Sequence, residues 1–293
     1  MSAKRRDLSI SILLCLPAVL IFSLFIIYPL CNTISLSFVK WKGIAGTAQT
    51  FVGLENYQRV FSSSQFWNSM ANCLRFMIGG FCILMPLSFA LALIVTSKLR
   101  LVRFFKIAYF MPVMLSTTAV ALIWSYIFNP AWGAINQILN TLNLAALSRD
   151  WLATPVVNVW CVVFVNEWMY AGYNMLIFAA GLIGIPNELH EAALIDGCTP
   201  FRRLWYIVLP LCKESFKIFS ILCVTGCLKV FDLVWAMTKG GPNNVSSTPA
   251  ISIYIEAFTY KNFGKSSAIG VILLVLGCGI SLIMNRALRR EEL

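Results

Sequence analysis

From Leu8 to Val39 the chain runs without one charged side chain. That is longer than the roughly 17–25 apolar residues a helix needs to cross a bilayer. Only 12% of the 293 residues are charged, against about 25% in soluble proteins, and 59% are hydrophobic. This composition excludes a water-soluble domain and points to a polytopic membrane protein in the lipid bilayer. A net charge of +11 would mean nucleic acid in a soluble chain. Here Lys and Arg flank the apolar runs, so the rule that orients membrane helices accounts for them and no nucleic-acid partner is expected. Ten cysteines lie in mostly apolar segments. Cys223 and Cys227 share a helix face, but no second pair or His stands near to complete a zinc site. They read as small buried hydrophobes, and no metal is expected.

Hydropathy and breakers divide the chain into six spans, an all-α architecture. The first covers about 9–38, uncleaved because no small-x-small site closes it, with a bend expected at Pro17 or Pro29. A polar segment follows, from Lys40 to Asn68. The second span covers about 72–97 and ends in a basic turn of Lys98, Arg100, Arg103 and Lys106. The third runs to Phe128, where Asn129-Pro130 stops it. Residues 131–150 read as a loop with a short interfacial helix. The fourth span covers about 152–183, the fifth 214–238 and the sixth 266–285. The whole of 1–293 is expected to be one membrane domain, with a core at 68–288 and a polar loop at 184–212.

Six spans put both termini on one side. The two ends, the basic turn and the 184–212 loop with its flanks carry 14 Lys and Arg, and the three opposite segments carry seven. Positive charge marks the cytosol, so both termini and the loop are expected to be cytosolic.

That loop is the most structured polar stretch of the chain. Asn187 can cap a helix whose first turn carries Glu188 and Glu191. Leu189, Ala192, Ala193 and Asp196 share one face. Gly197 suits a left-handed end, Thr199-Pro200 a fresh helix start, and Pro210 a stop. Glu191-Ala192-Ala193, then Gly197 after three residues, then Ile207, Leu209 and Pro210, resembles the loop of permease subunits of bacterial binding-protein-dependent ABC importers. The resemblance implies a type I importer permease fold in the bacterial cytoplasmic membrane. It makes Glu191, Ala192, Ala193, Asp196, Gly197 and Pro210 the docking residues for a cytosolic ATPase.

Three further stretches resemble the carbohydrate-importing members. They are Phe51 to Tyr57, Phe178 to Leu182 with Ile185-Pro186, and Phe231-Asp232 followed by Met237 to Pro242. By that resemblance Thr238, Gly240, Gly241 and Pro242 face a binding protein. The implied partners are a second, homologous permease, two ATPase subunits, an extracytoplasmic sugar-binding protein and a sugar. A related importer for glycerol phosphate, an amino acid or a polyamine is the alternative. The chain lacks the G-x-x-x-x-G-K-[ST] phosphate loop: Thr259 stands where Gly264-Lys265-Ser266 would need its first glycine. ATP and magnesium are therefore expected on the partner, with no cofactor here. His190 is the only histidine, and neither H-E-x-x-H nor G-x-S-x-G occurs, which argues against an enzyme.

Charges inside apolar spans cost about 2.5–3.5 kcal/mol at the bilayer centre and mark cavities or paired helices. Glu167 shares a face of the fourth span with Tyr170 and Asn174. Lys229 and Asp232, one turn apart, are expected on one face of the fifth, extended by Thr225. Two readings fit: these residues line a sugar path, or the charges pair to hold helices together. The topology is testable with reporter fusions. One after Thr199 should report cytosol and one after Val245 the outside. Finding both on the same side overturns the six-span arrangement.

Overall fold

The computed structural model describes residues 14–44, 46–97 and 101–289, with side chains to 286. Lys4, Arg5, Arg6, Lys98, Arg100 and Arg290, used in the charge count above, lie outside the described residues, as does the side chain of Arg289. The chain is predominantly helical. Three helices are long and apolar enough to cross a membrane alone: α1 (Leu14–Ser37), α3 (Ser64–Val95) and the last, Phe263–Arg286. Three bent pairs raise the total to as many as six.

Between the first two helices lie a short antiparallel pairing, β1 (Val39–Lys40) with β2 (Thr50–Phe51), and α2 (Glu55–Phe61). After α3 come α4 (Val102–Met114) and α5 (Thr117–Ile127), bent by 98°. The expected straight third span is therefore broken. Pro112 removes an N–H from α4 and crowds the carbonyl four residues back, and Leu115 and Ser116 are extended, with ψ of 151° and 132°. Helix α6 (Ala134–Thr141) is the short helix of the following loop. Next come α7 (Val157–Ile183) and α8 (Asn187–Ile195), bent by 68°, and then α9 (residues 200–211). The fifth apolar run is α10 (Lys213–Cys227) and α11 (Asp232–Thr238), bent by 47°. Here Thr225 turns its hydroxyl back on the carbonyls of Ile221 and Leu222, which weakens the helix ladder. Gly226 follows, and its carbonyl accepts the tight bond from Lys229 N–H. Helix α12 (Pro249–Tyr254) and α13 (Phe263–Arg289) complete the chain. The Ser- and Thr-rich loop thus ends in a helix that the sequence reading missed.

One rule links three of the helices. Wide turns with five-residue hydrogen bonding occupy Ser23–Ile27, Gly80–Leu84 and Leu204–Val208. Each ends two residues before a proline: Pro29, Pro86 and Pro210. A proline ring collides with the carbonyl four residues back, and the widened turn moves that carbonyl aside without ending the helix. Pro210 accordingly sits inside α9, and the chain turns only at Cys212.

The chain forms two compact units. In one (14–64 with 252–275), buried Asn56 donates to the carbonyls of Ser37 and Val39, both at 2.9 Å. Gly264 leaves room for the Val39 carbonyl. Lys265 pairs with buried Glu256 at 2.5 Å, and Ser266 bonds the Ile253 carbonyl at 2.9 Å. The Gly-Lys-Ser triplet is thus fully occupied with packing.

In the other unit (65–251 with 276–289), α3, α7 and α10 meet around Leu91, Met175, Phe178 and Phe219. Small residues let backbones approach, as membrane helix packing requires. Ser88 bonds the Ala171 carbonyl, and a Cβ on Gly172 would strike the Tyr109 carbonyl of α4. Gly172→Ala should therefore destabilise the protein by about 1–3 kcal/mol. Gly279→Ala, where a Cβ meets nothing within 4 Å, should be neutral. Thermal unfolding in detergent reads both, and equal midpoints would refute the close approach.

Candidate functional site

One helix, α7, reaches three groups of polar residues. Beyond its cytosol-predicted end lies the α8–α9 loop. Helix α8 begins at Asn187, but the capping position is Pro186, without a side-chain cap. The expected Asn187 cap is displaced by one residue, because Pro186 fixes the extended entry. The helix ends as expected of a glycine-terminated one. Gly197 has φ of +68°, its N–H reaches the Leu194 carbonyl at 3.1 Å, and Cys198 N–H reaches that of Ala193 at 2.8 Å. These are the two bonds of a Schellman turn. Thr199 Oγ1 then accepts from Arg202 N–H at 3.4 Å and caps α9. On the inner side Ile185, Val208 and Cys212 pack with Phe89 of α3 and Phe216 of α10. Ala193 is buried, while Glu191, Ala192, Asp196 and Pro210 are exposed. Leu194, Ile195, Phe201 and Tyr206 are exposed beside them. The loop is thus bedded on one face and presents an apolar, acid-edged surface on the other.

Midway along α7 is a cavity of about 350 Å³. Glu167, Tyr170, Asn174, Lys229 and Asp232 all line it. Lys229 and Asp232 do not share a helix face as expected: Lys229 sits in the break and Asp232 opens α11. Thr225 does not line the cavity; its hydroxyl is used on α10 itself. Glu167 is 1% exposed. Its Oε1 accepts from Asn166 Nδ2 at 3.3 Å, and its Oε2 has no partner. Among the described residues no ion pair joins Glu167 or Asp232 to Lys229. The sequence reading missed Thr117, Asn166, Tyr173 and Phe231, which also line the cavity. Asn166 and Tyr173 were legible as neighbours of the chosen face. Thr117 was not, because only the break before α5 brings it in. Among the described residues no His, Cys, Asp and Glu cluster could hold a metal ion.

At the far end of α7, Asn158 donates to the Gly241 carbonyl at 2.8 Å. Asn72 of α3 donates to the carbonyls of Val245 (2.6 Å) and Ser247 (2.8 Å). Asn68 adds a bond to that of Asn244 at 3.0 Å. The segment after α11 is thus clamped by three carboxamides, with Thr238 Oγ1 and Ser246 Oγ 2.8 Å apart inside it. Lys239, Gly240, Asn243 and Asn244 take positive φ to make the turns. Gly240 is buried, Gly241 and Pro242 are half-buried, and Asn243 is exposed.

The family model described as "Binding-protein-dependent transport system inner membrane component" matches residues 83–291. The chain belongs to this family. It is a multi-pass inner-membrane transport component, not an enzyme. A probable ABC transporter permease of Pyrococcus horikoshii is 32% identical over 274 residues, 93% of each chain. The trehalose/maltose transport system permease of Thermococcus litoralis is 32% identical over 276 residues, 93% of this chain and 91% of that one. A bacterial alginate ABC transporter, solved with an alginate pentasaccharide-bound periplasmic protein, has the same fold. It aligns with a TM-score of 0.85 at 21% identity, over 98% of this chain and 96% of that one.

For this transport component the clamp is directly testable. Asn72→Asp removes both donors and sets an oxygen against two carbonyls, and Asn72→Leu leaves the carbonyls unpaired. Each should cost about 1–3 kcal/mol locally. Amide hydrogen exchange over 239–248 should quicken in both variants; unchanged exchange would show that the asparagine does not hold the loop.

Proposed function

We propose that the chain is one permease half of an ATP-driven importer for a sugar or oligosaccharide. In this reading it forms a single permease domain, with a transport core at 68–288, six spans and both termini in the cytosol. It pairs with a second, homologous permease and two ATPase subunits, and receives cargo from an extracytoplasmic binding protein. Residues Glu191, Ala192, Asp196, Gly197 and Pro210 of the α8–α9 loop meet the ATPase, and buried Ala193 packs the helix that presents them. The Thr238, Gly240, Gly241 and Pro242 turn meets the binding protein. Glu167, Tyr170, Asn174, Lys229 and Asp232 line the path. Aromatic faces suit the C–H surface of a sugar, and amides and carboxylates suit its hydroxyls. The sugar class is supported by the relative named for trehalose and maltose.

The observation that carries the proposal is that one helix, α7, reaches all three groups. Asn158 holds the outer turn, Glu167 to Asn174 border the cavity, and Ile185, two residues past the helix, beds the docking loop. A rigid helix rises about 1.5 Å per residue, so a displacement of the loop is transmitted along the wall of the cavity. ATPase closure would move α8, reorient the spans and open the cavity outward; hydrolysis would reset it.

The test is Gly197→Val in the assembled complex. The site is open, with nothing within 4 Å of a new Cβ, so only the left-handed backbone objects, at roughly 1–2 kcal/mol. Cargo-stimulated ATP hydrolysis should be lost with the protein still in the membrane. Retained transport would count against docking. Glu167→Gln should change cargo preference or rate with the complex intact. Normal transport of every sugar by Glu167→Gln would remove this residue from the path.

A further inference from the structure

We infer that helix α9 lies in the surface of the bilayer and binds anionic phospholipid headgroups through its outer face. The inference goes beyond the importer reading and needs only that the chain is a membrane component. The depth of α9 follows from what its inner face touches. Ile185, Val208 and Cys212 form a buried cluster, and Leu93 of α3, Leu182 of α7, Leu204 and Phe216 of α10 pack against it. Leu93 stands two residues before the end of α3, Leu182 one residue before the end of α7, and Phe216 three residues into α10. Helix α9 therefore crosses the ends of three apolar helices, at the level where hydrocarbon gives way to headgroups.

The outer face has the composition of that level. Phe201, Trp205 and Tyr206 are 69%, 55% and 78% exposed, and the Phe201 and Trp205 rings lie 6.1 Å apart along it. Trp and Tyr favour the bilayer surface, where the ring body meets acyl chains and the polar tip stays wet. Among the described residues, no side-chain hydrogen bond or ion pair engages the Trp205 indole N–H, the Tyr206 hydroxyl or the guanidinium groups of Arg202 and Arg203. Donors without a protein acceptor thus stand among exposed rings, and lipid phosphates supply acceptors. Charge decides the occupant. Helix α8 and its cap carry Glu188, Glu191 and Asp196 and no Lys or Arg, whereas α9 carries Arg202 and Arg203 and no acid. A basic, aromatic helix at headgroup depth matches an anionic lipid surface. The arginine stems can lie along the acyl boundary while their heads reach the phosphates.

The experiment labels the assembled complex with 5-fluorotryptophan and places it in nanodiscs of phosphatidylcholine mixed with phosphatidylglycerol. The fluorine resonance that disappears in Trp205→Phe is that of Trp205. A nitroxide on phosphatidylglycerol should broaden this resonance more than the same nitroxide on phosphatidylcholine at equal content. In the double variant Arg202→Gln, Arg203→Gln that preference should fall by about fivefold for each arginine lost. Unchanged positions of the other tryptophan resonances show that the variant keeps its fold. Equal broadening by the two lipids in the unmodified protein overturns the recognition of anionic headgroups. Broadening by neither overturns the bilayer placement, and a shift of the resonance on removal of the ATPase subunits then assigns the face to them. None of these outcomes bears on the cargo, so the importer reading stands or falls separately.

Discussion

The packing of α7 is the constraint on which the rest depends. The helix touches α3, α4, α10 and α11, and it can do so only because its contact positions are small. Ala171, Gly172 and Gly181 lie where a neighbouring backbone or serine comes close. In a bilayer no hydrophobic force drives helices together, so close approach and interhelical hydrogen bonds must supply the attraction. Such a helix moves with its neighbours or not at all. Asn158, the cavity wall and the approach to α8 are therefore fixed relative to one another, which is the property a coupling element needs.

Against that rigid rod stand two broken runs, α4–α5 and α10–α11. Irregular backbone at membrane depth is tolerated only where protein or a water-filled cavity satisfies it, and both breaks supply lining to the cavity: Thr117 from one, Lys229 and Phe231 from the other. The prolines of α1, α3 and α9 produce a different result. Preceded by a widened turn, each is absorbed and its helix continues. Breaks and absorbed prolines thus divide the labour, the first opening space and the second setting direction.

The three long apolar helices and the course of the α8–α9 loop were legible in the sequence because they depend on short-range signals. Apolar run length gives membrane crossings, and Gly197, Thr199 and Pro200 dictate their own turn chemistry. The cavity was half legible, since Glu167, Tyr170 and Asn174 lie on one unbroken helix, where spacing predicts a face. The remainder was hidden for physical reasons. Leu115-Ser116 contains no breaker, and the break there follows from Pro112 and from packing on α7, which is tertiary. Lys229 and Asp232 looked like a helical pair because nothing in the local pattern announces the back-bonding of Thr225 with Gly226. Asn72 read as the start of a span, and its partners lie more than 170 residues away. Gly264-Lys265-Ser266 looked like a fragment of a phosphate loop, yet each residue answers a packing need that only the fold defines.

The open surroundings of Gly197 have a stereochemical consequence. Its backbone is left-handed, and no atom crowds the place a side chain would take. The position is therefore restricted by chirality and not by volume. A residue of mirror-image configuration has the glycine-like dihedral as its own preferred region. D-alanine would fit this turn without strain, and by narrowing the unfolded chain's freedom it would firm the turn. The α8–α9 loop could then carry a reporter group on a D-residue at its apex while following an unchanged course, a modification closed to every L-amino acid with a side chain.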